Sequence, residues 1–231
     1  MKGIICALKE EAAPFLEGLK YVKRDTIGGV EFTKGKLDGV DIVVAVCGVG
    51  KVAAAACTQS MITKYSPELI INSGVAGCTR NDLHCGDIVI ARNTIQHDID
   101  TTALGDPKGF VSGLEKINFV CDKDVVAAFK AITEAKEYAF KLGVIATGDK
   151  FISDKKDKEF LKIWFGASAC DMEAGAINHV CFLNKVPFAS IRALSDEANG
   201  RSKIDYTTFL PEAAQKAAEI VKEYLTTPIN E

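Results

Sequence analysis

The sequence predicts an α/β fold with a mixed sheet, on three observations. Apolar runs of strand length alternate with helical stretches along most of the chain. Asp38-Gly39 joins two neighbouring apolar runs, which makes one strand pair antiparallel and excludes a purely βαβ alternation. Carboxylates gather where apolar runs end: Glu10 and Glu11 after Gly3 to Leu8, Asp171 and Glu173 after Ala169, Asp196 after the run from Phe188. Ligands of open α/β sheets bind at strand ends, so these acids mark a candidate site.

The first strand leads into a short helix expected to reach about Leu19, with Pro14 tolerable in its first turn or as a kink. Val30 to Leu37 and Val40 to Val46 form the hairpin around Asp38-Gly39. Gly48-Val49-Gly50 opens an alanine-rich helix from Lys51 to about Tyr65, stopped by Pro67. Leu69 to Ser73 is apolar enough to be central and runs into Gly74-Val75-Ala76-Gly77, a second glycine loop, before the strand Asp87 to Ala91.

From His97 to about Asn118 periodicity is lost among Gly105, Pro107, Gly109 and Gly113, so this is the longest expected loop, a type often functional in compact domains. Asp122 can cap a helix to about Ala135, with Val125, Val126, Phe129 and Ile132 on one face. Leu142 to Ala146 is a strand and Asp154 to about Phe165 a helix. Ala169 to Asp171 is a short buried strand before a helix from about Glu173 to Leu183. Phe188 to Leu194 is the last strand, running out into a polar loop at Asp196. The final helix, about Tyr206 to Leu225, sets Leu210, Ala213, Ala217, Ile220, Val221 and Leu225 on one stripe.

The 231 residues suit one domain spanning 1–231, long enough for a large core. With 48% hydrophobic and 26% charged residues and a net charge of -3, the composition is that of a soluble globular protein with no pull toward polyanions, so no nucleic acid is expected as a partner. No apolar run approaches the roughly 20 residues that span a bilayer, and the first strand is too short for a signal-peptide core, which predicts a cytoplasmic protein and no membrane partner. Eight scattered cysteines without C-x-x-C spacing read as small core residues of a reducing compartment.

Several motifs have bland readings that outweigh the sharp ones. Gly48-x-Gly50-x-x-Ala53 fits a loose dinucleotide fingerprint, but the preceding strand belongs to a hairpin. The P-loop fails at Ala45 and Val52, so the glycines more simply let backbone approach a ligand. His97-Asp98-x-Asp100 lacks a complete ligand set, and Cys170 lacks an adjacent base; neither a metal nor a cofactor is expected. Each acid alone could merely stabilise a helix start. Together with Phe151, Met172 and Arg192, also near strand ends, they describe an apolar pocket with a few directed polar groups.

Ala7-Leu8-Lys9-Glu10-Glu11, Gly48-Val49-Gly50-Lys51-Val52-Ala53-Ala54-Ala55, Gly148-Asp149-Lys150-Phe151-Ile152, Asp171-Met172-Glu173-Ala174 and Arg192-Ala193-Leu194-Ser195-Asp196 follow in that order. As a set they resemble the 5′-methylthioadenosine/S-adenosylhomocysteine nucleosidases of the nucleoside phosphorylase superfamily. The resemblance covers nearly the whole chain. It implies a nucleoside phosphorylase-like, three-layer α/β/α fold around a central mixed β-sheet, a homodimer, and hydrolysis of an adenine N-glycosidic bond of methylthioadenosine, adenosylhomocysteine or 5′-deoxyadenosine.

By the same resemblance Asp196 is the general acid toward purine N7, with Ser195 orienting that region. Glu11 activates the water, Glu173 grips the ribose hydroxyls, and Arg192 holds Glu173 or the water in register. Anions near the sugar stabilise oxocarbenium character, as in glycosidases. Met172 would contact ribose and base, Phe151 would stack on adenine, and the Ile152 backbone would read the ring edge. Val49 and Tyr206 would line the pocket for the 5′-alkylthio tail, and Val75, Ala76 and Gly77 would border the substrate.

Two departures from the family pattern stand out. Val75 occupies a position where the family often has serine, and the loop Thr101 to Gly113, which would approach the partner subunit's site, lacks the usual aromatic and proline pattern. Three other readings compete: a phosphorylase of the same fold, a futalosine-splitting relative and a non-catalytic nucleoside-binding protein. A phosphorylase is disfavoured because no arginine precedes Arg24 and Glu10 and Glu11 would repel phosphate.

Overall fold

The computed structural model describes residues 1–196 and 202–227, with side chains described for 1–196 and 208–227. Strand β1 (Lys2–Cys6) is followed by helix α1 (Lys9–Leu16). An antiparallel run β2 (Lys20–Ile27), β3 (Val30–Leu37) and β4 (Val40–Val46) comes next. Asp38 and Gly39 both take positive φ, the geometry that lets a two-residue turn follow strand twist. β2 was not expected from the sequence. It is mostly exposed and rich in Lys and Arg, as edge strands are, so no apolar alternation announces it.

Helix α2 (Lys51–Tyr65) leads to β5 (Leu69–Cys78), and β6 (Ile88–Gln96) follows. The segment from His97 carries short 3₁₀ turns and one isolated bridge, Val111 to Lys116, before β7 (Phe119–Val120). Asp122 caps α3 (Lys123–Ala135), accepting from the N–H groups of Asp124 and Val125. Then come β8 (Phe140–Thr147), α4 (Lys155–Phe165), β9 (Ala167–Asp171), α5 (Ala174–Asn184), β10 (Phe188–Asp196) and α6 (Ser202–Thr226).

These strands form one mixed sheet. β1 lies parallel between β4 and β5, and the antiparallel β3 and β2 continue outward from β4. β5, β10, β6, β8 and β9 pair in succession, and β9 returns antiparallel to β5, so five strands close into a ring. Alternate side chains build the layers. Ile4 and Cys6 pack with Phe15 of α1, Phe129 of α3 and Ile220 of α6 on one face. Ile5 packs with Met61 of α2 and Ile177 of α5 on the other.

The ring creates the position for a site. β1 pairs with β5 only as far as Asn72, and β9 joins the same strand only at Gly77. Between these partners β5 has a stretch of edge backbone that must be satisfied by something other than a strand. Gly74 to Gly77, expected as a loop, are therefore strand residues flanking a crevice. Likewise β10 continues as buried strand to Asp196 instead of running out into a loop after Leu194.

Candidate active site

Glu11 fills the gap in β5. It sits in the first turn of α1, where acids suit the helix dipole, and its Oε2 accepts from the N–H groups of Ala7 (2.8 Å) and Leu8 (3.0 Å). Its Oε1 accepts from Val75 N–H at 2.8 Å. The carboxylate thus joins the end of β1 to the unpaired edge of β5. Burial pushes its pKa up, opposed by the Arg192 guanidinium and the three N–H donors.

Arg192, wholly buried on β10, stands behind three acids. Its Nη2 lies 2.5 Å from Asp171 Oδ2 and 3.8 Å from Glu173 Oε2, and its Nη1 is 4.0 Å from Glu11 Oε1. Nε and Nη1 find no acceptor among the described residues. Burial works against the guanidinium charge, but Asp171, Glu11 and Glu173 outweigh it and raise the pKa. Asp171, at the end of β9, also accepts from the Thr147 hydroxyl (2.5 Å) and Ala174 N–H (3.0 Å). Glu173 occupies the N-cap of α5 and accepts from Gly50 N–H at 2.9 Å. Burial and the neighbouring Asp171 charge push its pKa up to about 7.

Gly50, with φ near 99°, turns its N–H toward Glu173 in a left-handed backbone that favours glycine. Gly74 is required for a different reason. A Cβ there would stand 2.5 Å from Arg192 Nη1 and from Glu11 Cδ. The second glycine segment is therefore a close-approach device.

One cavity of about 380 Å³ brings most of the expected residues together. Glu11, Val75, Ala76 and Gly77 border it from α1 and β5, and Ser195 and Asp196 from the end of β10. Asp171, Met172 and Glu173 line the β9–α5 junction; Phe151 and Ile152 come from the segment after β8, and Val49 from the first glycine loop. Phe151, 48% exposed, stands at the mouth. Arg192 is not among the lining residues; it acts on the cavity through the carboxylates in front of it. Tyr206 belongs to α6, but its side chain lies outside the described residues.

His97, Asp98 and Asp100 do not converge. Asp98 pairs with Lys51 at 2.6 Å and accepts from Asp149 N–H at 2.9 Å, while Asp100 pairs with Lys108 at 2.9 Å. Burial lowers the His97 pKa. Among the described residues no three His, Cys, Asp or Glu side chains gather as a metal ion would need.

Residues 2–226 match the family model of the phosphorylase superfamily. The 5′-methylthioadenosine/S-adenosylhomocysteine nucleosidase of Staphylococcus carnosus is 38% identical over 226 residues, covering 97% of this chain and 99% of that one. The chain belongs to this nucleosidase family. Among solved structures, a mutant of the Helicobacter pylori nucleosidase with 5′-methylthioadenosine in its active site superposes with a TM-score of 0.92 at 34% identity, covering 96% of each chain. The futalosine hydrolase of the same organism reaches a TM-score of 0.91 at 34% identity, over 96% of this chain and 95% of that one. The family and the fold expected from the sequence are both borne out.

Asp171 was marked in the sequence only as a strand-end acid, and Lys158 was not marked at all. Asp171 was visible as an acid two residues before Glu173, but nothing in the sequence made it the direct partner of Arg192. Lys158 is 1% exposed on α4 and forms a buried ion pair with Asp196. Its signal was a lysine three residues before buried Leu161, on the apolar face of its helix.

Proposed function

We propose that this chain hydrolyses the N-glycosidic bond of 5′-methylthioadenosine and S-adenosylhomocysteine, with 5′-deoxyadenosine as a further substrate, releasing adenine and the 5′-substituted ribose. The carrying observation is that Glu11 and Asp196, a candidate base and a candidate acid, line one cavity with the sugar-binding candidate Glu173. Asp196 would deliver a proton to purine N7, so that adenine leaves as a neutral base; such assistance is worth about 10² to 10⁴ in rate. Glu11 would take a proton from the attacking water. Burial raises its pKa, which makes it a stronger base than a solvent-exposed carboxylate.

Arg192 is a positioning residue in this reading. Nη1 faces Glu11 across 4.0 Å, a gap that a water can bridge. Glu173, fixed by Gly50 N–H, would accept from the ribose hydroxyls and offset positive charge on the sugar. Phe151 would stack on the base, with the Ile152 backbone along its edge and Met172 between base and ribose. Val49 fits the apolar tail pocket, to which Tyr206 is also assigned. Ser195 orients the acid end, and Val75, Ala76 and Gly77 form the floor.

The dimer proposal has independent support in exposed apolar side chains: Val52 at the start of α2 and Leu104 in the 101–113 loop. Burial of these in a homodimer would carry the loop toward the partner's cavity. Light scattering on the purified chain tests it, and a monomer at micromolar concentration would end it.

The decisive assay incubates the protein with methylthioadenosine, with and without phosphate, and identifies both products by mass spectrometry. Adenine with free methylthioribose, independent of phosphate, is expected. Strict phosphate dependence with a sugar 1-phosphate would instead mark a phosphorylase. The cavity disfavours that outcome, because Glu11 and Glu173 lie in its lining and the cation that lines it among the described residues, Lys150, is paired with Asp157 at 2.6 Å. Likeness to the futalosine hydrolase supports a second substrate reading, tested by running futalosine in parallel.

A further inference from the structure

We infer that Lys158 is a positioning residue for the proton donor: its ammonium holds one oxygen of Asp196 from behind the cavity wall and balances the charge left there when the proton departs. The inference rests on the reading of Asp196 as the acid and goes beyond it, because Lys158 itself does not line the substrate cavity.

Asp196 stands between two spaces. Its cavity side is shared with Gly77, and Oδ1 lies 3.1 Å from where a Cβ on Gly77 would be. Behind it, Lys158 Nζ contacts Oδ2, and Lys158 borders a separate small hollow with Thr79, Asn81 and Glu159. One carboxylate oxygen is thus committed to the ammonium while the other lies on the Gly77 side. The ammonium is delivered by a helix. α4 is capped by Asp154, whose side chain accepts from Lys156 N–H at 2.6 Å, and Leu161 anchors the same face among Ile95, Ala146 and Cys170. Packing alone has no use for this charge, since a methionine would fill the same volume without the desolvation cost.

Among the described residues, the groups facing the pair from the neighbouring strands include the Cys78 thiol on β5 and the Cys170 thiol on β9. Burial pushes both up, so they are neutral near pH 7. Lys155, Glu159 and Lys162 lie further back around the hollow. A cation beside a carboxylate favours its ionised form, which makes the acid readier to part with its proton.

In the reaction Asp196 first takes up a proton from solvent; the C1′–N9 bond then breaks with its electron pair retained by adenine, and that proton passes to N7. The water oxygen bonds to C1′ while its proton goes to Glu11. Asp196 is left as a carboxylate paired with Lys158.

The test is a cycle of Lys158→Met, Asp196→Asn and the double variant, each assayed for adenine release from methylthioadenosine across pH 5 to 9. Lys158→Met is expected to lower kcat by about 10-fold or more, within the range open to general acid catalysis, with KM little changed and the alkaline limb of kcat moved to higher pH. In the Asp196→Asn background the same replacement should cost nothing further. The double variant removes both charges and so guards against failure to fold. Full kcat with an unmoved pH profile in Lys158→Met overturns the inference, as does a further loss of rate between Asp196→Asn and the double variant. If the unaltered chain releases no adenine, the nucleosidase reading itself fails and the inference with it; release by the unaltered chain matched by Lys158→Met overturns the inference alone.

Discussion

Arg192 reaches Asp171 at 2.5 Å, closer than it comes to Glu173 at 3.8 Å or Glu11 at 4.0 Å. Asp171 is therefore the group that fixes the guanidinium, and the two candidate reacting carboxylates are held by backbone N–H groups instead. Replacing Asp171 by Asn leaves Arg192 buried without its nearest counter-charge. Breaking a buried pair on one side typically costs about 3–5 kcal/mol. Urea unfolding of Asp171→Asn should show a loss of that order, with kcat reduced as the guanidinium shifts; wild-type stability would argue against the Arg192–Asp171 pair as the anchor.

Glu11→Gln keeps the shape of the side chain and one carbonyl acceptor but removes the base. Adenine release should fall by about 10² or more, while calorimetric binding of an uncleaved methylthioadenosine analogue changes little. Parallel loss of binding and turnover would assign Glu11 to substrate affinity.

Glu173 carries a pH signature. Its folded-state pKa is raised from 4.5 to about 7, so the folded protein holds this proton more tightly than the unfolded chain does. The associated stability is fully present below about pH 4.5 and is lost as pH rises through about 7. Melting temperatures measured from pH 4.5 to 8 should therefore decline more in the wild type than in Glu173→Gln, which has no charge to develop. A constant difference between the two curves would contradict the assignment.

Gly74→Ala tests the close approach on β5. The added methyl would meet Arg192 Nη1 and Glu11 Cδ at 2.5 Å, and both groups are held in place. Overpacking of this type costs about 1–3 kcal/mol. Activity should fall along with stability. Gly113→Ala serves as the control, since its Cβ would meet nothing within 4 Å.

Much of this architecture was legible in the sequence where local chemistry and tertiary structure agree. Asp38-Gly39 demanded the β3–β4 hairpin, Pro67 marked the stop of α2, and Asp122 was recognisable as a cap. The cavity residues were legible as a group because their strand ends converge. What stayed hidden depends on contacts between distant segments. β2 has no apolar face to announce it, and Gly74 to Gly77 look like a turn until Glu11 and Arg192 are seen to leave no room for a side chain at Gly74. Lys158 looked like one more surface lysine in a charged stretch. Only the approach of α4 to the end of β10 shows it buried against Asp196.

The closed ring of β5, β10, β6, β8 and β9 also bears on how the protein comes into being. β10 carries both Arg192 and Asp196, is the last strand in chain order, and inserts between two strands laid down more than ninety residues earlier. Such pairings have a high sequence separation, which slows folding. A ribosome-bound chain that stops before β10 holds Glu11 and Glu173 but has no proton donor and no guanidinium to keep its buried acids apart. Activity should consequently appear late and all at once during synthesis, making catalysis a sensitive report that the sheet has closed.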